Sequence, residues 1–510
     1  MAKIQKIKKI NSLRRIVAKL KSEGKKIVLC HGVFDLIHPG HIRHFQSAKK
    51  YGDILVVSIT DDRFVKKGPG RPVFNQHLRA EVLSSIETID YVTVVPSYSA
   101  IDSIKAIKPD FYVKGPDYKK RKVSSKIPAK LQSEEDAVRE VGGKLVFTED
   151  DIVFSSSKLI NDYLNIYPVG TKKYLENLRK KYSPDFIIEK LATLSSIKIL
   201  VIGDAIIDQY HYCFPTGKSS KEPIIVHQYI KDESFAGGIL ATANHLSSLS
   251  NNIRLVSVLG KKQPFTTFIN KHLKKTVAAK FFFRNDTNTI VKRRYIDGFT
   301  KQKLFQISYL NDDFIDLTLE KAILNFLKKE IGNFDMVLVN DFGHGLMTDR
   351  IIRFISKKAK FLALNVQANS ANYGFNVVTK YPRANFICID DTEIRLATHD
   401  KYGELEVLIK KVFKKMKCEF IIVTKGPFGS LSYTGDGITI TPALTDKVVD
   451  RVGAGDALFA MTSPLVAAKF DRELIPFIGN VAGAIQVQTV GNKKPIEFED
   501  MARFINRLLK

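Results

Sequence analysis

At 510 residues, with 44% hydrophobic and 26% charged residues, the chain is too long for one ordinary core and reads as a globular protein of two domains. No apolar run approaches the roughly 18 residues that span a bilayer, and the Lys-rich start lacks a signal-peptide core, so a cytoplasmic location with no membrane partner is expected. The formal charge of +27, from 80 Lys+Arg against 53 Asp+Glu, is spread along the whole chain and is mostly Lys, which argues against a dedicated nucleic-acid surface.

Residues 1–24 read as a basic amphipathic helix, with Ile4, Ile7, Ile10, Leu13, Ile16, Val17 and Leu20 on one stripe. A short strand follows at Lys26–Cys30, a helix at Pro39–Lys50 and a strand at Ile54–Ile59. The alternation continues through a helix at His77–Ile86, a strand at Tyr91–Val95, a helix at Ala100–Ile107 and a strand at Phe111–Val113. Strands and helices alternating at this spacing predict a parallel, doubly wound α/β sheet. Pro168, Gly170 and Pro184 among charged residues predict a helical linker over 166–194, which separates a domain at 1–165 from one at 195–510. A second βα series opens at Ile197–Ile202. Cys30, Cys213, Cys388 and Cys418 are scattered without a C-x-x-C pair and predict reduced thiols.

The stretch His31-Gly-Val-Phe-Asp-Leu-Ile-His-Pro-Gly-His41 sets two imidazoles, His38 and His41, across a Pro-Gly turn that opens a helix. Pro39 suits the first helical turn, Gly40 permits close backbone approach, and a helix N-terminus favours an anion. Two imidazole donors there suit the α-phosphate of a nucleoside triphosphate, where charge builds during transfer. Lys-rich surroundings would steer such a polyanion. Downstream come Gly70-Arg-Pro-Val73, Arg79, Val113-Lys-Gly-Pro-Asp-Tyr118, Gly142-Gly143 and Ser155-Ser-Ser-Lys158.

In this order the motifs resemble the cytidylyltransferase-like family of nucleotidyltransferases, especially the adenylyltransferase half of ADP-heptose synthase and glycerol-3-phosphate cytidylyltransferase. The resemblance implies a Rossmann-like domain in which Gly32, Phe34 and Asp35 form the nucleotide loop and His38 and His41 act as transition-state donors. It further implies that Arg79 and Ser155, Ser156 and Ser157 hold the outer phosphates, that Lys114 and Asp117 lie near the base, and that Lys66 or Lys67 clamps the acceptor phosphate. Mg²⁺ would offset charge, with CTP or ATP as substrate. Class I aminoacyl-tRNA synthetases also place two histidines at a helix start, but their second, lysine signature is not found here.

Near the other end, Gly453-Ala454-Gly455-Asp456 follows Asp450 and precedes the apolar helix Ala457–Ala467. Two glycines let backbone N–H groups converge on developing negative charge, the helix dipole adds to them, and Asp456 is placed to remove a proton from a hydroxyl. Four further pieces, Ile202-Gly-Asp204 with Asp208-Gln-Tyr210, Ala236-Gly237-Gly238, Asn340-Asp-Phe-Gly-His-Gly345, and Thr424-Lys-Gly426 with Gly429, resemble the ribokinase-like (PfkB) carbohydrate kinases. That resemblance assigns Asp204, Asp208, Gly237 and Gly238 to the acceptor, Thr424, Gly426, Gly453, Ala454 and Gly455 to the nucleotide, and an indirect magnesium role to Glu393. Polar strands near 222–230 and 289–309 would form a small β lid of the kind that often mediates dimers, so a homo-oligomer is expected.

The chain thus resembles bifunctional ADP-heptose synthase with the domain order reversed. Three positions depart from the kinase pattern: Ala241 stands where an Asn is usual, Asn365-Val-Gln367 replaces Asp-Pro-Lys, and Asp390 replaces the Asn of Asn-x-x-Glu. Three readings stay open. The chain is a nucleotidyltransferase for a sugar or polyol phosphate in surface-glycan synthesis with a kinase that supplies the precursor, or a transferase whose back half only binds or oligomerises, or a true ADP-heptose synthase.

Overall fold

Near-continuous apolar runs dictate the first sheet. In β1 (Ile27–Gly32) the residues Ile27, Val28, Leu29 and Cys30 are all fully buried, as expected of a strand covered on both faces. The computed structural model describes residues 6–65, 72–97, 99–115, 129–148 and 169–509, in two compact units that divide near residue 166.

In the first unit β1 is joined by β2 (Ile54–Thr60), β3 (Tyr91–Val95), β4 (Phe111–Lys114) and β5 (Lys144–Phe147) in the order β3-β2-β1-β4-β5. Every pairing is parallel. One face packs Val28, Cys30, Leu55 and Val57 with Phe45 of the helix Pro39–Lys49. The other packs Ile27, Leu29 and Val56 with Leu13 and Val17 of the helix Ile10–Ser22; the helix expected over 1–24 is thus shorter, burying the Leu13 and Val17 part of its stripe, with Ile7 ahead of it and Ile4 outside the described residues. Strand order reverses between β1 and β4, and the carboxyl ends there form the crevice where open α/β sheets take ligands.

The second unit is built on β6 (Lys198–Gly203), β7 (Ala205–Lys218), β8 (Ile225–Gly238), β9 (Asn252–Gly260), β10 (Val277–Arg284), β11 (Ile290–Asp297) and β12 (Lys303–Tyr309). It continues with β13 (Met336–Asp341), β14 (Leu362–Val366), β15 (Phe386–Asp390), β16 (Phe420–Thr424), β17 (Ser430–Tyr433) and β18 (Ile438–Thr441). Nine strands form one sheet, β10-β9-β6-β13-β14-β15-β16-β17-β18, parallel except for the last two pairings. A separate four-stranded sheet runs β12-β11-β7-β8. Three of its strands match the two polar segments expected near 222–230 and 289–309, the first giving β8 and the second β11 and β12. The 14-residue β7 is additional: its Asp208-Gln-Tyr210 segment carries a substrate-binding expectation from the sequence but no expected strand.

The helical linker expected over 166–194 is corrected in one respect. Helices do occupy Val169–Lys181 and Pro184–Ala192, the second capped by Ser183, whose Oγ accepts from the Phe186 N–H. They are part of the second unit's core, where Leu175, Leu178, Ile187 and Leu191 pack and Arg179 donates to the Leu508 carbonyl. The apolar pairs at i, i+3 and i, i+4 make them packing helices. All four cysteines are buried and free of disulfides. Among the described residues no helix is long and apolar enough to cross a membrane.

Candidate functional sites

At the carboxyl end of β1 the chain turns through Phe34, whose φ of 49° is left-handed, and enters the helix Pro39–Lys49 with His38 as N-cap and Pro39 in the first turn. The rings of His38 and His41 lie 4.0 Å apart, and the Phe34 ring meets His41 edge-on at 5.4 Å. Both imidazoles are half-buried, and His38 borders a surface hollow with Ile37, Pro39, Ile42, Arg43 and Gln46. Burial holds His38 below the usual imidazole value, which favours its neutral form at pH 7. A β-carbon on Gly32 would sit 3.0 Å from the Phe34 ring, so the glycine lets that ring fold back toward His41.

Two residues expected to face the nucleotide face inward instead. Asp35 is buried, and its Oδ1 accepts the Val73 and Phe74 N–H groups at 2.8 and 3.1 Å. Arg79, 1% exposed, donates to the carbonyls of Phe74, Val33 and Thr60 at 3.0, 2.5 and 2.8 Å and to Asp62 at 2.6 Å. This guanidinium ties the loops after β1 and β2 to the helix Gln76–Ser84 and has no face left for outer phosphates. Arg79→Met should therefore lower the stability of the first unit by about 3 kcal/mol, the usual cost of stranding a buried ion pair, and thermal unfolding of the variant checks it. A variant of unchanged stability with a raised triphosphate KM would restore the phosphate role. Lys114 is likewise buried, paired to Glu134 at 2.9 Å with its Nζ over the Tyr112 ring; it ends β4, beside the reversal of strand order. Lys66, Lys67, Asp117, Ser155, Ser156 and Ser157 lie outside the described residues.

In the second unit a cleft of about 390 Å³ brings together Asp208, Gly238, Thr424, Gly453, Gly455 and Asp456. Gly453 has φ of 82°, and a β-carbon there would strike Asn492 Oδ1 at 2.1 Å, so the turn requires glycine. The helix Ala454–Ala467 starts immediately after it, with open space around Gly455; its first N–H groups converge on the cleft end where Asp456 stands. Asp456 Oδ1 accepts from Asn340 Nδ2 at 2.9 Å and from Gln367 Nε2 at 2.7 Å. Burial pushes Asp456 up to about 6, against those two hydrogen bonds.

Asp208 projects from β7 and pairs with Arg294 of β11 at 2.5 Å. A β-carbon on Gly237 would lie 2.0 Å from Asp208 Oδ2, so that glycine makes room for the carboxylate. Gly238, with φ of 56°, begins the helix Ile239–Leu246. Asp204 does not share the cleft. It is buried, accepts from the Phe342 and His344 N–H groups, and braces the loop after β13; burial raises its carboxyl. Gly426 opens a short 3-10 turn after β16, outside the cleft wall that Thr424 forms. Glu393 lines the cleft but commits Oε1 to the Ala368 N–H and Oε2 to the Asp390 N–H. Asp390 accepts from the Glu393 N–H in return, a reciprocal cap on the helix Asp391–Thr398, and burial pushes Glu393 up to about 8. Among the described residues no cluster of three or more His, Cys, Asp or Glu is spaced to hold a metal ion. These carboxylates fit a magnesium ion only indirectly, through its water shell.

Comparison with known proteins settles what surrounds these two sites. The profile described as pfkB family carbohydrate kinase matches residues 196–498. The chain belongs to that family. Residues 29–162 match the Cytidylyltransferase-like profile, so a nucleotidyltransferase-like domain precedes the pfkB domain. The chain is 36% identical over 162 residues to bifunctional protein HldE of Desulfatibacillum aliphaticivorans, covering 31% of each chain. It is 25% identical over 310 residues to HldE of Campylobacter jejuni strain RM1221, covering 60% of this chain and 64% of that protein. Each match thus spans less than two thirds of the relative's own length, and the two halves stand in the reverse of the HldE order. Phosphofructokinase-2 from Escherichia coli, in a crystal structure with substrates and products, superposes over 62% of this chain and 100% of its own with a TM-score of 0.51 at 11% identity, which shows the ribokinase-like fold.

Within the pfkB domain the departures take on physical meaning. Ala241 is buried in the helix Ile239–Leu246, and its neighbour Thr242 accepts from Asn340. Gln367 occupies the cleft floor against Asp456. Sequence reasoning missed Lys292 and Arg294, which enter the cleft from the lid strand β11. Burial lowers Lys292 while Asp208, Asp204 and Asp456 raise it. The signal was the period of two in Lys292-Arg-Arg294: Arg293, between them, turns to Gln209 and Tyr309.

Proposed function

We propose that the front domain transfers a nucleotidyl group from CTP or ATP to a sugar or polyol phosphate, and that the pfkB domain phosphorylates the sugar that becomes this acceptor. The activated product would feed surface-glycan synthesis. The observation that carries the first half is the pair of half-buried imidazoles, 4.0 Å apart, at a helix start on the carboxyl edge of a parallel sheet. An acceptor phosphate oxygen attacks the α-phosphorus, the bond to the β-phosphate oxygen breaks, and pyrophosphate leaves. His38 and His41 donate N–H groups to the charge that builds on the α-phosphoryl oxygens, and the helix N-terminus adds to them. Mg²⁺ accompanying the triphosphate would offset charge on the departing pyrophosphate.

In the pfkB domain Asp456 takes the proton of a sugar hydroxyl, whose oxygen attacks the γ-phosphorus as ADP departs. Backbone N–H groups at Gly453 to Gly455 meet the phosphoryl charge, with Lys292 as a cation facing the cleft beside Arg294 and Arg451. Asp208 and the Gly238 turn form the sugar end. The lid sheet leaves Phe214, Phe299, Phe305 and Tyr229 exposed, a surface suited to a second copy of the chain. The test is pyrophosphate release across a panel of nucleoside triphosphates against sugar and polyol phosphates. One base and one acceptor class should turn over far faster than the rest; no release with any pair would overturn the reading.

A further inference from the structure

The orientation of every amide around Asp456 is fixed by its neighbours. Asn365 Nδ2 donates to the Cys388 carbonyl at 2.7 Å, a group that only accepts, so Asn365 Oδ1 must face Gln367. Gln367 Nε2 donates to that oxygen at 2.7 Å and to Asp456 Oδ1 at 2.7 Å, its two short hydrogen bonds, with a longer contact to Asn340 Oδ1 at 3.5 Å. From the other side Thr242 Oγ1 donates to the Gly238 carbonyl at 3.3 Å, so it accepts from Asn340 Nδ2 at 3.0 Å. The second Asn340 hydrogen goes to Asp456 Oδ1 at 2.9 Å. Both donors land on the same carboxylate oxygen. Oδ2 makes no hydrogen bond among the described residues, and Asp456 lines the cleft.

We infer that Gln367, acting with Asn340, is a positioning residue: the two amides lock the Asp456 carboxylate through Oδ1 and present Oδ2 as the atom that takes the substrate proton. The inference rests on the kinase reading for its purpose, though the clamp itself does not. Two neutral donors hold the base without cancelling its charge, where a lysine at 367 would form an ion pair with it. They also favour the ionised form, opposing the burial that raises this carboxyl. The charged and titratable groups facing Asp456 are Asp208, Arg294 and Lys292 from the lid sheet, Cys388 from β15, Asp390 and Glu393 at the helix Asp391–Thr398, and Arg451 before Gly453. None of them is hydrogen-bonded to Asp456 among the described residues.

The test is Gln367→Met in the full chain. Its kcat for sugar phosphorylation should fall by about tenfold or more, the usual scale for a hydrogen bond to a charged group, with KM for both substrates within about twofold. The titration of Asp456, isolated in pH-difference infrared spectra as the carboxyl band lost in Asp456→Asn, should move up by about one pH unit. Gln367→Glu, which sets a second carboxylate against the first, should move it up further and covers the case in which the methionine variant fails to fold. A chain that phosphorylates nothing would remove the kinase reading, while the infrared titration would still decide the clamp. An unmoved titration in both variants, or a loss confined to KM, would overturn the inference.

Discussion

His41→Ala should cut pyrophosphate release by roughly 10²- to 10³-fold, the scale for deleting one donor to a developing oxyanion. The loss should fall on kcat and on kcat/KM together, because the contact strengthens only as charge builds on the α-phosphoryl oxygens. Stability should change little: His41 is half-buried, its ring lies beside His38 at 4.0 Å, Phe34 at 5.4 Å and Phe45 at 6.5 Å, and Phe45, one turn further along the same helix, stays fully buried in the core without it. His41→Asn, which keeps an N–H donor, should retain more activity than alanine. Turnover of the alanine variant at the normal rate would remove the role assigned to this ring.

Asp456→Asn should abolish phosphorylation by the pfkB domain, with a loss on the order of 10²- to 10⁴-fold expected of a general base. The replacement is close to isosteric, and its carbonyl oxygen can still accept from Asn340 and Gln367, so the cleft should keep its shape. Pyrophosphate release by the front domain serves as control in the same sample and should be unchanged. The pH profile carries a sign as well. Burial pushes Asp456 up to about 6, and only the ionised carboxylate accepts the hydroxyl proton, so phosphorylation should fall as pH drops through about 6 and hold above it. An acid limb near the ordinary aspartate value, or unchanged transfer by the asparagine variant, would contradict the assignment.

Much of this architecture was legible in the sequence because its strands are apolar runs of four to six residues bounded by turn residues, and that signal is local. Tyr91–Val95 was placed as it occurs, and His38 and Pro39 open a helix as their types require. The misplacements share a physical cause: a charged residue does not announce which way it points. Arg79 read as a phosphate ligand, yet four carbonyl and carboxylate acceptors surround it in the interior. Asp204 and Asp208 looked equivalent in sequence, but one braces the backbone after β13 and the other stands in the lid strand facing Arg294. Gln367 looked like a lost lysine, and only the third dimension shows it hydrogen-bonded to Asp456. Residues 169–192 looked like a linker because their charge outweighs the few leucines and isoleucines that bury them.

The two proposed activities meet in one measurement, ³¹P NMR of the intact chain supplied with ATP, CTP, Mg²⁺ and unphosphorylated sugars. The account predicts a sugar phosphate signal first, then its conversion to a diphosphate-linked nucleotide sugar with stoichiometric pyrophosphate; Asp456→Asn should block the first step and His41→Ala the second. Pyrophosphate that never forms, even when a broad set of sugar and polyol phosphates is supplied directly, would contradict it.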